Sequence, residues 1–184
     1  MKKIILIFTV FFAVKNINAQ IYKAKDNGTE ITFFSASPLE DITATNKGAV
    51  VVMNSSTGDI QMRITVLNFK FKNALMEEHF NENYMESQKF PNAIFKGKIN
   101  EKIDYTKDGE TKITVTGKMD IHGVIKEVTL EGNMVKKGNE MAMASKFKIK
   151  VADYNIKVPS LYVKNIAEIV DVTVNTVLEP FVKK

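Results

Sequence analysis

Most of this chain alternates between apolar and polar residues. Ile113, Val115, Gly117, Met119 and Ile121 are interleaved with Thr114, Thr116, Lys118 and Asp120. Met141, Met143, Phe147, Ile149 and Val151 are interleaved with Lys146, Lys148 and Lys150, and Val172, Val174 and Leu178 with Asp171, Thr173 and Asn175. A period of two puts one set of side chains on a buried face and the other in water, as in antiparallel sheets. Turn-forming pairs separate the runs: Asn27-Gly28, Lys47-Gly48, Thr57-Gly58, Asp108-Gly109, His122-Gly123 and Lys137-Gly138. Their spacing predicts roughly eight strands, closed as a barrel or stacked as a sandwich.

Two irregularities favour the barrel. Along residues 60–71 the apolar phase runs Ile60, Met62, Ile64, Val66 and then Leu67, Phe69, Phe71. A one-residue slip exchanges the faces of a strand, so a bulge or sharp bend is expected at Val66-Leu67. Long strands that bend are what closing a barrel requires.

The second irregularity follows at once. Residues 73–84 change from a period of two to a helical period, with Leu75, Met76, His79, Phe80 and Tyr84 on one half. Glu77, Glu78, Asn81 and Glu82 fall on the other half. Asn73 is a suitable N-cap, and the two early glutamates complement the helix dipole. Phe90-Pro91 ends the element, and alternation resumes with Ala93, Phe95 and Ile99. A lone amphipathic helix between strands reads as a plug or lid aimed at the interior. Phe69, Phe71, Leu75, Met76, Phe80 and Phe95 surround that strand–helix–strand junction and are the candidate lining of an apolar cavity.

The first 19 residues read as an export signal. Lys2 and Lys3 precede the apolar run Ile4 to Val14, and Ile17-Asn18-Ala19 forms a cleavage site before Gln20. The apolar run is too short to span a bilayer, which needs about 20 residues. The expected organisation is a signal peptide over 1–19 and one barrel domain over 20–184, periplasmic or secreted, with no stable membrane span.

Removing the leader changes the charge. The chain has 26 Lys+Arg and 21 Asp+Glu, and Lys2, Lys3 and Lys15 leave with the leader, so 23 oppose 21. A near-neutral domain gives no reason to expect nucleic acid. Arg63 is the only arginine, which weighs against a bidentate phosphate clamp. There is no Cys, so disulfides, thiolate metal sites and Cys nucleophiles are excluded together.

Catalytic groups are scarce. His79 and His122 are the only histidines. Glu78 points away from the face of His79, and no second ligand completes a metal set. His122 sits at a turn, where it can cap backbone groups. No Gly-x-Ser-x-Gly elbow or Gly-rich phosphate loop is present. The expectation is a protein that is not an enzyme, with no catalytic residues, no metal and no tightly held cofactor.

The stretch FKFKNALMEEHFNENYMESQKFP, residues 69–91, resembles the helix-bearing segment of the YceI-like family, with an acidic-His-aromatic helix before a Phe-Pro step. The block ITVTGKMDIHGVIKEVTLEG, residues 113–132, is similar to that family's central hairpin. Together the matches span most of residues 20–184. The resemblance implies an all-β, antiparallel, lipocalin-like barrel of about eight strands with one inserted short α-helix. It also implies noncovalent binding of a long apolar lipid of the polyisoprenoid type. Where many members carry Arg and an aromatic-Gly pair, this chain reads Lys150-Val151-Ala152-Asp153-Tyr154-Asn155-Ile156, and Glu77-Glu78 replaces an Arg-Asp pair. Those departures favour a neutral or quinone-like head over a pyrophosphate.

Three alternatives remain open from residues alone. The abundant Met and Phe fit a flexible apolar tunnel or a solidly packed core, since an eight-stranded barrel can be either. A packed barrel would be a protein interaction or stress-related structural module. An outer-membrane barrel also alternates, but its lipid face could not carry Lys118, Asp120, Lys146, Lys148 and Lys150. A homodimer is compatible with everything above.

Overall fold

A computed structural model describes residues 20–36, 41–157 and 167–182. The signal peptide expected over residues 1–19 lies outside the described residues. Ten strand segments run in order: β1 (Ile21–Ser35), β2 (Ile42–Asn46), β3 (Val50–Asn54), β4 (Asp59–Thr65), β5 (Lys70–Phe71), β6 (Asn92–Ile99), β7 (Gly109–Ile121), β8 (Val124–Lys137), β9 (Glu140–Lys150) and β10 (Ile169–Pro180). One short helix, α1 (Ala74–His79), stands between β5 and β6. All pairings are antiparallel, and β1 pairs with β10 to close the sheet.

Ten segments make eight staves. β2 and β3 both lie antiparallel to β1 and follow each other in line. β4 pairs with β3 and β5 with β2, so β4 and β5 form the next broken stave. The result is a closed antiparallel barrel of eight strands. The break in the second stave falls where the apolar phase flips. Val66–Asn68 form a single tight helical turn between β4 and β5. Continuing the β3–β4 register would set Thr45 opposite Asn68, but Lys70 stands there. Two extra residues thus bend the strand, and Phe69 and Phe71 again face inward.

Two of the turn-forming pairs are not turns between strands. Asn27-Gly28 lies inside β1, where the pairing with β10 shifts register between Ala24 and Thr29. Asn27 has φ 55°, and a bulge uses the same left-handed backbone that a turn does. Lys47-Gly48 lies in the kink between β2 and β3. The fully buried Asn46 accepts the Gly48 N–H at 2.9 Å and donates to the Thr65 carbonyl at 2.9 Å. Local chemistry alone cannot tell a bend within a stave from a reversal between two.

His122-Gly123 is a true two-residue hairpin, with φ 53° and 73°, the twist-matched type that joins antiparallel strands. A Cβ on Gly123 would come within 2.6 Å of the Phe90 ring. Both the backbone and the neighbour therefore require glycine there.

The interior divides into two halves. At one end Val51, Met53, Met141 and Leu178 are completely buried, with Ile60, Ile99 and Met134 packed around them. Ile103 and Tyr105, from the β6–β7 loop, pack against this cluster and close the base. Burial pushes the Tyr105 hydroxyl pKa up. The other cluster centres on Ile31, Ala44, Phe69 and Val172 and lies at the helix end. One buried polar pair marks the β1 bulge, where Thr29 and Thr176 hydroxyls meet at 2.7 Å.

Candidate functional site

The helix is built by local rules. The Asn73 side chain accepts the Leu75 N–H at 2.9 Å, satisfying one of the free N-terminal donors. Glu77 reaches back to the preceding strand, accepting from Lys70 Nζ at 2.6 Å and from the Phe71 N–H at 3.2 Å. The Lys70 ammonium, and then the backbone N–H, hold the Glu77 carboxyl below the ordinary glutamate range. After His79 the helix widens into a π-type turn, Phe80–Tyr84. Ser87 then closes on Asn81 through both its N–H and its hydroxyl, at 2.8 and 2.7 Å. The element is fixed at both ends.

Aromatic rings fasten it to the barrel. Phe80 lies with its ring centroid 5.4 Å from Phe33, 5.7 Å from Phe69 and 5.0 Å from Phe71. Phe33 in turn contacts Phe69 and Phe71 at 5.5 and 5.7 Å. Such pairs contribute about 0.5–1.5 kcal/mol each beyond the area they bury. The quartet joins β1, the bent stave and the helix into one wall.

Behind that wall is an apolar cavity of about 440 Å³, within the range of roughly 300–1,000 Å³ usual for small-molecule sites. Phe69, Phe71, Leu75, Met76, Phe80 and Phe95 all line it. Leu75 does so from the rim, with 56% of its surface exposed. Period-two reading understated the far wall. Phe147, Ile149, Val170, Val172 and Val174, from β9 and β10, also line the cavity, as do Met62 and Met119. Their inward phase was legible, but which strands face the helix depends on how the sheet closes. Among the described lining residues no Lys or Arg appears, and Glu131 is the only carboxylate.

The two histidines differ. His79 lines the cavity. His122 is buried outside it, with Nδ1 3.2 Å from the Tyr154 carbonyl and Nε2 2.9 Å from Glu86 Oε2. The carbonyl can only accept, so Nδ1 is the donor there. Its ring also packs on Phe90 at 4.4 Å. His122 thereby caps a backbone oxygen and ties together three loops. Among the described residues no group of three or more His, Cys, Asp or Glu could hold a metal ion.

Among the described residues, the outer face carries lysines where the inner face lining the cavity has none. Lys118, Lys146, Lys148 and Lys150 are exposed, and a lipid-facing belt would have to bury them. No helix among the described residues is long and apolar enough to cross a membrane. A closed antiparallel barrel of eight strands, hollow and apolar at one end and capped there by a helix, defines a lipocalin-like architecture. The model of the YceI-like domain matches residues 22–178, and the chain belongs to that family.

Solved structures share the fold. A polyisoprenoid binding domain from Saccharophagus degradans is similar over 87% of this chain and 98% of its own, at 15% identity and TM-score 0.75. BcnA from Burkholderia cenocepacia is similar over 84% and 98%, at 18% identity and TM-score 0.71. A YCEI protein from Campylobacter jejuni is similar over 74% and 81%, at 21% identity and TM-score 0.54. Comparison with curated proteins returns no match.

Proposed function

We propose that this protein is exported and carries a long apolar lipid of the isoprenoid type, held noncovalently in the hollow half of its barrel. The observation that carries this reading is the cavity lining, predominantly aliphatic and aromatic with no Lys or Arg among the described residues. An isoprenoid chain offers no hydrogen bonds, so it is bound through apolar contact and shape, at about 25 cal/mol per Å² removed from water. The same lining favours a neutral or quinone-like end group over a pyrophosphate, whose charge would be uncompensated there. Membership of the YceI-like family and likeness to a polyisoprenoid binding domain support the assignment.

Binding rather than catalysis is the proposed role, because His122 is engaged in holding loops and the cavity that His79 lines is predominantly apolar. Native mass spectrometry of protein purified from the extracytoplasmic fraction without detergent tests the reading. The expected result is a one-to-one adduct that organic extraction releases as an isoprenoid. Protein carrying no adduct, and taking up none from vesicles containing prenyl quinones, would overturn it.

A further inference from the structure

The β8–β9 ladder covers only part of the two strands. It runs from Lys137–Glu140 to Gly132–Ser145 and stops. Beyond that point β8 continues to Val124 paired only with β7, and β9 continues to Lys150 paired only with β10. Continuing the register would have set Leu130 opposite Phe147 and Val128 opposite Ile149. Instead the two staves part. Farther along, the gap is bridged by the segment after β9: Lys126 pairs with Asp153 at 3.3 Å, and His122 meets the Tyr154 carbonyl. Among the described residues, what lies between is a window in the barrel wall.

The cavity reaches this window. Glu131 and Ala144 are exposed and lie on the outward phase of their strands, yet both line the cavity. The cavity is thus lined from both edges of the gap, by Leu130, Glu131 and Gly132 on β8 and by Ala144, Ser145 and Phe147 on β9. Leu130 and Phe147 continue the apolar lining up to the gap. The Ser145 hydroxyl donates to the Glu131 carbonyl at 2.6 Å, pinning the ladder's last rung.

Volume gives the window a use. An apolar cavity of about 150 Å³ takes one benzene ring, so about 440 Å³ has room for roughly 18 carbons, between three and four isoprene units. We propose that the β8–β9 window is a second part of the lipid site, through which the remainder of a longer isoprenoid leaves the barrel. The idea rests on the lipid-carrier reading above. Chains of up to about four units would lie wholly inside, and longer ones would thread the window.

Because the chain has no cysteine, Glu131→Cys creates a unique thiol at the window, and Ala144→Cys a second, independent one. A bulky adduct attached there by a disulfide plugs the window, and dithiothreitol removes it. Gln61→Cys, exposed on the outer face of β4, is the control. The probes are two prenyl quinones, with tails of about 10 and about 40 carbons, so that ring and tail together fall on either side of the cavity's room.

With the plug at position 131 or 144, affinity for the long probe should fall by roughly tenfold or more, as buried apolar surface is lost. The short probe should be unaffected, the control adduct should do nothing, and dithiothreitol should restore long-chain binding. Reversal separates blockage from misfolding. Equal binding of the long probe with and without the plug would overturn the window while leaving the carrier reading intact. Failure of the unmodified protein to bind either probe would overturn both.

Discussion

Lys70 Nζ and Glu77 Oε1 lie 2.6 Å apart, joining the last strand segment before the helix to the first turn of the helix itself. The contact makes the helix part of the wall it faces. It also makes the seating of that wall sensitive to acid.

The Glu77 carboxyl is held below its ordinary range by Lys70 and the Phe71 N–H. A carboxyl lowered in the folded state stabilises it at pH above the unfolded value, about 4.3. That contribution fades as pH falls through the lowered value. Amide protection factors over residues 74–84, taken relative to the intrinsic exchange rate at each pH, should therefore fall on acidification, and Glu77→Gln should flatten the dependence. Because the pair is partly exposed, the effect should be small, under about 1 kcal/mol. Identical pH profiles for the two proteins would show that the contact does not hold the helix.

Polar substitution at the cavity should act on binding more than on folding. Met76→Asn and Phe80→Asn place amides at the lining, and bound lipid measured by native mass spectrometry should fall sharply. Phe80→Asn should also lose part of the aromatic quartet, so its melting temperature should drop more than that of Met76→Asn. Lipid retained at full occupancy in both variants would place the ligand elsewhere.

The packed half should respond in the opposite sense. Met53 and Met141 are 0% exposed, and truncation to Ala in a full core costs about 2–5 kcal/mol. Thermal melting of Met53→Ala and Met141→Ala should show that loss, with lipid still carried by the folded fraction. If either variant melts like the parent, the base of the barrel is not the solid core described.

His122→Gln gives up the ring's contact with the buried Tyr154 carbonyl and its packing on Phe90. An unsatisfied buried acceptor costs about 1–3 kcal/mol, and each kcal/mol lowers the melting temperature of a domain this size by about 2–4 °C. Lipid binding should be unchanged in His122→Gln, which lies outside the cavity, and metal content unchanged in both His122→Gln and His79→Gln. A stoichiometric metal lost from either variant would contradict a metal-free role for that histidine.

Export can be checked separately. If residues 1–19 are a signal peptide, intact-mass measurement of protein from the extracytoplasmic fraction should find Gln20 as the first residue. Full-length chain retained with the membrane fraction would count against it.

Much of this protein follows from sequence alone, because strand periodicity and capping are local. The inward and outward phases of β7, β9 and β10 could be read residue by residue. So could the bend at Val66-Leu67, since a phase flip has no other economical geometry. Asn73, Glu77 and the apolar half of the helix were likewise written in a stretch of a dozen residues. Closure was not. Asn27-Gly28 and Lys47-Gly48 carry turn chemistry yet sit within staves, because only the partner strand decides whether a bend becomes a reversal. The placing of a packed base at one end and a cavity beneath the helix at the other depends on Ile103 and Tyr105 folding back over that base while the helix is seated on the opposite rim. The window at Gly132–Ser145 depends on two strands that alternate normally but part company in space. Alternation says which side of a strand is dry, and only the paired sheet determines what that dry side encloses.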